Sequence, residues 1–314
     1  MEQIPYYSSQ EITEVMLQMV NTHLDDEDLR ENAALFIMYK MKEGFLFSEL
    51  TQLHYHLEES EKSHGMFHVS AAVEFLILAL DMLDDLQDQD DMDKPWSTFP
   101  FSTSMNLSTG FFTLSMLVLK QAPYGDDLKS AALHHLYHQV LRAVKGQHQD
   151  LKHVYDTEDD FLRMIKYKSG SLMTCSTLIG ATLRETTKDQ LAIIQEYSES
   201  LGVTAQLAND IHGLLRMDTK NDLLQKQWTL PIMLLSKEND EQAQWIQDYY
   251  AGNIDQAFMM EKEESLFQWI HQSPVLLYVR VLKRVYQRSA IYKMNELHVS
   301  QEWKDCMREY IEQV

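Results

Sequence analysis

Seven aspartates crowd the stretch from Asp81 to Asp93. On a helix, Asp84 and Asp88 lie one turn apart, with Asp81 and Asp85 flanking them on nearly the same face. Like charges at this spacing destabilise an isolated helix, and the negative end of the helix dipole adds to the cost. A bound cation offsets such a cost. Hard oxygen ligands without His or Cys select Mg²⁺, which takes one or two carboxylates together with substrate phosphates. The bland alternative is a solvated acidic helix end. Against it stands the buried-type stripe that immediately precedes the aspartates, and the polar strings elsewhere in the chain.

One such string runs from Gly202 to Gly213, where Gln206, Asn209 and Asp210 fall within a single helical turn. Two acidic helices facing each other could hold a small Mg²⁺ cluster through Asp84, Asp85, Asp88, Asn209 and Asp210. Lys168, Lys220 and Lys226 then supply positive charge for an anion. The string Gly146-Gln147-His-Gln-Asp150-Leu151 and the string Lys168-Ser169-Gly170-Ser171-Leu172 complete the set. His134, His135 and His138, like His64 and His68, include i,i+4 pairs that lack a third ligand at matching spacing, and they read as surface or core histidines. Cys175 reads as a small buried hydrophobe.

The elements that must carry these residues are helices. Val69, Ala72, Val73, Leu76, Leu80 and Leu83 recur at three- and four-residue spacing, which makes Val69–Gln87 a helix with one buried stripe. Several amphipathic helices precede it over residues 8–60, with a break near Lys42, Glu43 and Gly44. Pro95 and Pro100 mark a loop after it. Further helical patterns cover about 105–121, 126–155, 159–184, 188–216, 228–250, 255–270, 274–293 and 299–312. No segment alternates apolar and polar residues between turn signals, so no sheet is expected. With 10 Gly, 6 Pro and 45 % apolar residues, the composition suits long helices in one domain spanning residues 1–314.

Charge and cysteine use exclude several classes. The 27 Lys+Arg against 48 Asp+Glu leave a net charge of −21, which makes nucleic acid and bare anionic lipid poor partners. Two cysteines cannot staple a chain of this length, and no signal sequence is evident, which points to a reducing, cytoplasmic setting. The run Phe75–Leu80 is far shorter than the roughly 20 residues a membrane span needs.

Taken in order, the strings over about residues 65–235 resemble the trans-isoprenyl diphosphate synthase (polyprenyl synthetase) superfamily. Asp84, Asp85 and Asp88 match its first acidic motif, Gly146, Gln147, Asp150 and Leu151 its Gly-Gln-x-x-Asp-Leu string, and Lys168-Ser169 its Lys-Thr diphosphate contact. Gln206 is similar to the glutamine ahead of the second acidic motif. Asp222 through Pro231 resembles its Asp-Leu…Lys-x-Thr-Leu-Pro string, with the lysine one place early at Lys226. The resemblance implies an all-α bundle around a deep apolar cavity, with Mg²⁺ gripping the diphosphate of an allylic prenyl substrate at its mouth. Gln147, Lys168, Gln206, Lys220 and Lys226 would contact that diphosphate. Asp84, Asp85, Asp88 and Asp210 would carry catalysis. Ala79 and Leu80, at positions where bulky aromatics floor the cavity of short-chain synthases, would leave room for farnesyl or longer chains.

The chain also departs from chain-elongating members of that family. Gly44–Ser48 holds no basic residue where they carry Gly-Lys-Arg, and Lys94-Pro95-Trp96 stands where they carry an arginine pair. The second acidic motif keeps Asp210, but Asn209 replaces its first aspartate and Gly213 its third, leaving Asp218 and Asp222 as nearby carboxylates. This pattern looks like ComQ-type isoprenyl transferases, which prenylate a tryptophan of a small pheromone precursor peptide. Asp81 or Asp90 could accept the released proton, and relatives of this fold are commonly homodimers. The rival readings are a prenyl diphosphate synthase or class I terpene cyclase, and a non-catalytic partner subunit. Met217, where a cyclase needs Glu, weighs against the cyclase, and the intact first motif weighs against the subunit.

Overall fold

The computed structural model describes residues 7–57, 63, 65–88, 93–153, 155, 157–216, 218 and 220–314. Among them are sixteen α-helices and no β-strand, as an all-α chain requires. The first half comprises α1 (Ser9–His23), α2 (Glu27–Glu43), α3 (Leu46–Tyr55), α4 (Gly65–Asp88), α5 (Pro95–Thr98), α6 (Phe101–Gln121) and α7 (Asp126–Leu151). It is followed by α8 (Glu158–Ile165), a π-helical turn (Lys166–Gly170), α9 (Ser171–Leu183) and α10 (Lys188–Leu214). The last third holds α11 (Leu230–Leu235), α12 (Glu241–Tyr250), α13 (Gln256–Glu261), α14 (Glu263–Gln272), α15 (Pro274–Met294) and α16 (Gln301–Gln313).

Local chemistry starts these helices where the chain needs them. Ser8 and Glu11 close a reciprocal capping box on α1, and Asp26, Thr157, Thr187 and Ser300 each accept a first-turn N–H from the helix they precede. The pattern read as one helix over 228–250 is instead α11 and α12, because Ser236-Lys-Glu-Asn-Asp240 interrupts it and Asp240 takes the extended conformation of an N-cap. The pattern over 159–184 is broken by the π-helical turn.

Helix α4 is the central element. It is buried on all sides from Val69 to Ala79 and packs chiefly against α6, α3 and α1. Each of its fully buried Val, Leu, Ile and Phe side chains contributes roughly 1.5–3 kcal/mol of burial free energy. By length and composition α4 could cross a membrane, but 72 % of its apolar window is packed inside the bundle, the mark of a core helix. Helix α10 runs antiparallel to α15, since Leu207 and Leu214 cluster with Val275 and Val279 while Ile194 and Tyr197 cluster with Ala290 and Met294. The C-terminal ends of α4 and α10, which carry the two acidic strings, therefore meet at one end of the bundle, with α7, α8 and the π-helical turn between them.

Candidate active site

A cleft of about 370 Å³ opens at that end, and five aspartates line it: Asp84 and Asp88 from α4, Asp150 from α7, Asp210 from α10, and Asp222 from the loop before α11. The pairs Asp84/Asp88 and Gln206/Asp210 enter because an i,i+4 spacing stacks side chains on one helix face. The same rule turns neighbours away. Asp85 is absent from the cleft wall. Its carboxylate accepts from Lys94 Nζ at 2.9 Å and from Trp96 Nε1 at 2.8 Å, and burial lifts its pKa to about 6 against the pull of Lys94. Asn209 is exposed beside Asp210 and does not line the cleft.

Lys168 is the principal cation of the site. Its ammonium lies 2.8 Å from Asp150 Oδ2 and 3.1 Å from Asp84 Oδ1. Burial opposes its charge, yet Asp84 and Asp150 more than compensate and hold its pKa above the ordinary lysine value. The π-helical turn sets this geometry by pushing Lys168 and Ser169 out of α-helical register. Two glycines let neighbouring helices come close enough. A Cβ at Gly146 would run into the Lys168 backbone, and one at Gly202 into Gly170. Ser169 Oγ then donates to Gln206 Oε1 at 2.6 Å, and Gln206 Nε2 donates to Asp210 Oδ1 at 2.9 Å. A single polar chain thus links the turn to the second acidic string.

Asp210 is 2 % exposed. Burial pushes its pKa up to about 7, and Asp222 and Asp150 nearby add repulsion that Gln206 only partly relieves. The position of Asp222 explains Gly213. A Cβ on Gly213 would overlap the Asp222 carboxyl group, so a carboxylate from the following loop stands where the glycine has no side chain. Asp218, in contrast, is exposed and clamped by Arg216 at 2.7 and 2.9 Å.

The remaining expected residues divide. Lys226 lines the cleft, with φ +57°, a left-handed backbone that is costly for a residue other than glycine, and with Nζ 4.4 Å from the Tyr249 ring centre. Lys220 does not line it and pairs with Asp93 at 2.8 Å. Gln147 faces an adjoining apolar pocket of about 260 Å³, where its Nε2 donates to Gln87 at 3.2 Å. Leu80, Leu83, Val144 and Leu172 form much of that pocket, and Asp81 edges it. Ala79 is buried and does not line that pocket, and its carbonyl accepts from Ser108 Oγ of α6 at 2.9 Å. Asp90 and Met217 lie outside the described residues, as does His64. Reading by motif missed Asp150 as a partner of Lys168. It also missed Tyr155, whose hydroxyl donates to Asp150 at 2.9 Å. The aspartate was legible in Gly-Gln-x-x-Asp-Leu, whereas nothing local marks the tyrosine.

The oxygen-only donor set fits a hard divalent cation. Asp210 Oδ2 is buried without a hydrogen-bond donor, and Asp84 Oδ1 has the Lys168 ammonium at 3.1 Å without an aligned hydrogen bond, so both keep lone pairs available to a cation. Among the described residues no three carboxylate, imidazole or thiolate groups already converge on one point. Lys168 sits between Asp84 and Asp150, and the acidic walls stand apart across the cleft.

The family model described as Polyprenyl synthetase matches residues 28–265. The chain belongs to the polyprenyl synthetase family. As a polyprenyl synthetase family member it is a prenyl-transferring enzyme. It is 27 % identical over 285 residues to "Tryptophan prenyltransferase ComQ" of Bacillus spizizenii, covering 91 % of this chain and 99 % of that one. To the protein of the same description in Bacillus subtilis subsp. natto (strain BEST195) it is 30 % identical over 274 residues, covering 87 % and 83 %. Among solved structures it is similar to a geranylgeranyl pyrophosphate synthetase of Geoglobus acetivorans, with a TM-score of 0.81 at 18 % identity over 97 % of both chains. The heptaprenyl diphosphate synthase of Staphylococcus aureus gives 0.77 at 17 % identity, over 97 % of this chain and 95 % of that one. These likenesses establish the polyprenyl synthetase fold for the whole bundle.

Proposed function

We propose that the chain transfers a farnesyl or longer group from an allylic prenyl diphosphate to a tryptophan of a small precursor peptide, of the kind matured into a quorum-sensing or competence pheromone, and that Mg²⁺ is required. The observation that carries this reading is the state of the cations flanking the first acidic string. Lys40 pairs with Asp81 at 2.6 Å and Lys94 with Asp85 at 2.9 Å. A second diphosphate arriving there would meet carboxylates and committed ammonium groups, and would forgo charge-assisted hydrogen bonds of about 1.5–3 kcal/mol each. An indole needs no such cations, and the relatives that share most of this chain are named for tryptophan.

Asp84, Asp88 and Asp210 are the residues suited to hold Mg²⁺, with Asp150 and Asp222 in the same cleft; Asp85 and Asn209 act at most from behind them. When bound, Mg²⁺ supplies positive charge that favours departure of the diphosphate. Lys168 and Lys226 bind the diphosphate oxygens, and Gln206 orients Asp210. Leu80, Leu83 and Leu172 seat the prenyl chain and keep water from the allylic cation, which the electron-rich indole attacks. Asp81, a lining residue of the apolar pocket that is paired with Lys40, would take up the proton released from the indole.

The bundle would work as one unit in the cytoplasm and as a homodimer. Support for the second copy comes from α6, which carries no charged residue from Phe101 to Leu119, and from Tyr137, Leu141 and Val144 exposed on α7. An uncharged face on a protein of net charge −21 suits contact with its own copy.

The test incubates the protein with Mg²⁺ and geranyl, farnesyl or geranylgeranyl diphosphate. Isopentenyl diphosphate and a tryptophan-containing precursor peptide are added in separate reactions, and products are read by mass. A prenylated peptide is expected. Longer prenyl diphosphates, or a hydrocarbon formed without acceptor, would overturn the proposal in favour of a synthase or a cyclase.

A further inference from the structure

Between Leu266 and Met294 the chain has no Asp or Glu, although it carries 48 in all. Most of that interval is α15, whose Val275, Val279, Ala290 and Met294 face inward. Its opposite face exposes Leu277 (66 %), Val281 (50 %), Val285 (56 %) and Tyr292 (74 %). Arg280, Arg284 and Arg288 are exposed among them, and among the described residues no carboxylate pairs with any of the three. Acidic groups reach α15 on the side away from these arginines, where Glu158 and Asp159 act on Tyr278 and Tyr286, and at its C-terminal end. Glu158 accepts from Tyr278 at 2.6 Å, and Glu196 and Glu296 hold Lys293 at 2.9 and 3.0 Å.

We propose that this face of α15 docks the enzyme on an anionic lipid surface. The stripe from Leu277 to Tyr292 is about 22 Å long at 1.5 Å per residue, and Arg280, Arg284 and Arg288 form one i,i+4 row along one side of it. A helix of that pattern lies in the plane of a bilayer, its aliphatic residues among the acyl chains and its guanidinium groups at the phosphates. A second copy of the chain is a poor occupant, because a two-fold contact along α15 would set the arginines of one copy against those of the other. The net charge of −21 does not forbid the contact. At physiological ionic strength charges farther than about 8 Å are largely screened, so a surface in contact with the arginine row feels that row more strongly than the distant carboxylates. The whole-molecule charge excludes indiscriminate lipid binding, whereas α15 allows binding in one orientation.

Vesicle co-sedimentation with the full chain tests this. Equimolar phosphatidylglycerol and phosphatidylcholine vesicles are expected to retain the protein, and pure phosphatidylcholine vesicles to leave it in solution. Changing Arg280, Arg284 and Arg288 together to Glu should lower the partition coefficient by about tenfold or more. Changing Leu277, Val281 and Val285 together to Ser should lower it too, with the circular dichroism spectrum and solution prenyl transfer unchanged in both variants. Equal retention of the parent and the Glu variant, or no retention on either vesicle, would overturn the proposal. So would a fall in sedimentation mass of either variant, which would make the face a contact between protein chains.

Discussion

Asp222 shows how a single carboxylate can reach a site from outside the motif that predicts it. Gly213 lies at the end of a helix and Asp222 in the loop that follows, yet the Asp222 carboxyl fills the space that a Gly213 side chain would need. Asp222→Asn keeps the volume and removes the charge, so it should raise the Mg²⁺ concentration for half-maximal activity by about tenfold, the loss of one charged contact. Titration of activity against Mg²⁺ checks this, and an unchanged midpoint would remove Asp222 from the metal-binding set. Residues whose roles follow from helix geometry were legible in advance. Asp84 and Asp88 share a face by spacing alone, but the same spacing also offered Asp85 and Asn209, which packing against Lys94 and Trp96 and exposure to solvent respectively keep off the cleft wall. Lys168 was legible as a cation but its partners were not, because they depend on a π-helical turn that Lys166-Tyr-Lys-Ser-Gly170 does not announce. The Gly213–Asp222 exchange was legible only as two separate oddities, since it forms across a loop.

At the scale of elements, the joint between α3 and α4 makes stability depend on pH. Phe45 cannot cap α3 with its side chain. The Ser48 N–H is satisfied instead by Glu74 Oε1 from α4, at 2.6 Å. Glu74 is fully buried, its Oε2 has no partner, and burial pushes its pKa from 4.5 up to about 8 despite Lys40. A carboxyl group whose folded pKa is raised binds its proton more tightly in the folded state, so its contribution is present below pH 4.5 and is lost as pH rises to about 8. Glu74→Gln, neutral at every pH, should match the parent Tm at about pH 4 and exceed it by a few degrees at pH 9 (about 2–4 °C per kcal/mol); a pH-independent Tm difference would mean Glu74 does not titrate with folding. The contact of α7 with the π-helical turn is as tight. Gly146→Ala places a methyl group against the Lys168 backbone, and overpacking of this kind costs about 1–3 kcal/mol. The variant should lose a few degrees of Tm and, because Lys168 shifts with the turn, raise KM for the prenyl diphosphate. A lower Tm with unchanged KM would separate the packing from the site. Most helix positions were readable from periodicity because most helices bury one stripe, whereas α4 and α9 are buried nearly all round. The break at Ser236–Asp240 escaped because the residues on either side keep the helical pattern in phase.

For the whole molecule, the problem is to bring an anion to a protein of net charge −21. Five aspartates line the cleft against Lys168 and Lys226, so the mouth shares the sign of the surface around it. Two interactions of different range then compete. Repulsion from the acidic surface acts over many ångströms and weakens with salt, as the Debye length falls from about 30 Å at 0.01 M to about 8 Å at 0.15 M. Attraction at the site comes from Lys168, 2.8 Å from Asp150, and, on the proposed reading, from the divalent cation that the aspartates would hold. Both act at contact in a partly buried setting, where screening is weaker. Salt should therefore remove more repulsion than attraction. KM for the prenyl diphosphate should fall as NaCl rises from about 0.01 M to about 0.15 M, with free Mg²⁺ held constant and kcat little changed. Removing divalent cations with a chelator should abolish turnover at every salt concentration, because the two lysines cannot neutralise both the diphosphate and the carboxylates that face it. Steady-state kinetics across that salt series decides the matter. A KM that rises with salt would mean that positive potential already dominates the mouth before substrate arrives, and the net charge would then say nothing about how the donor is captured.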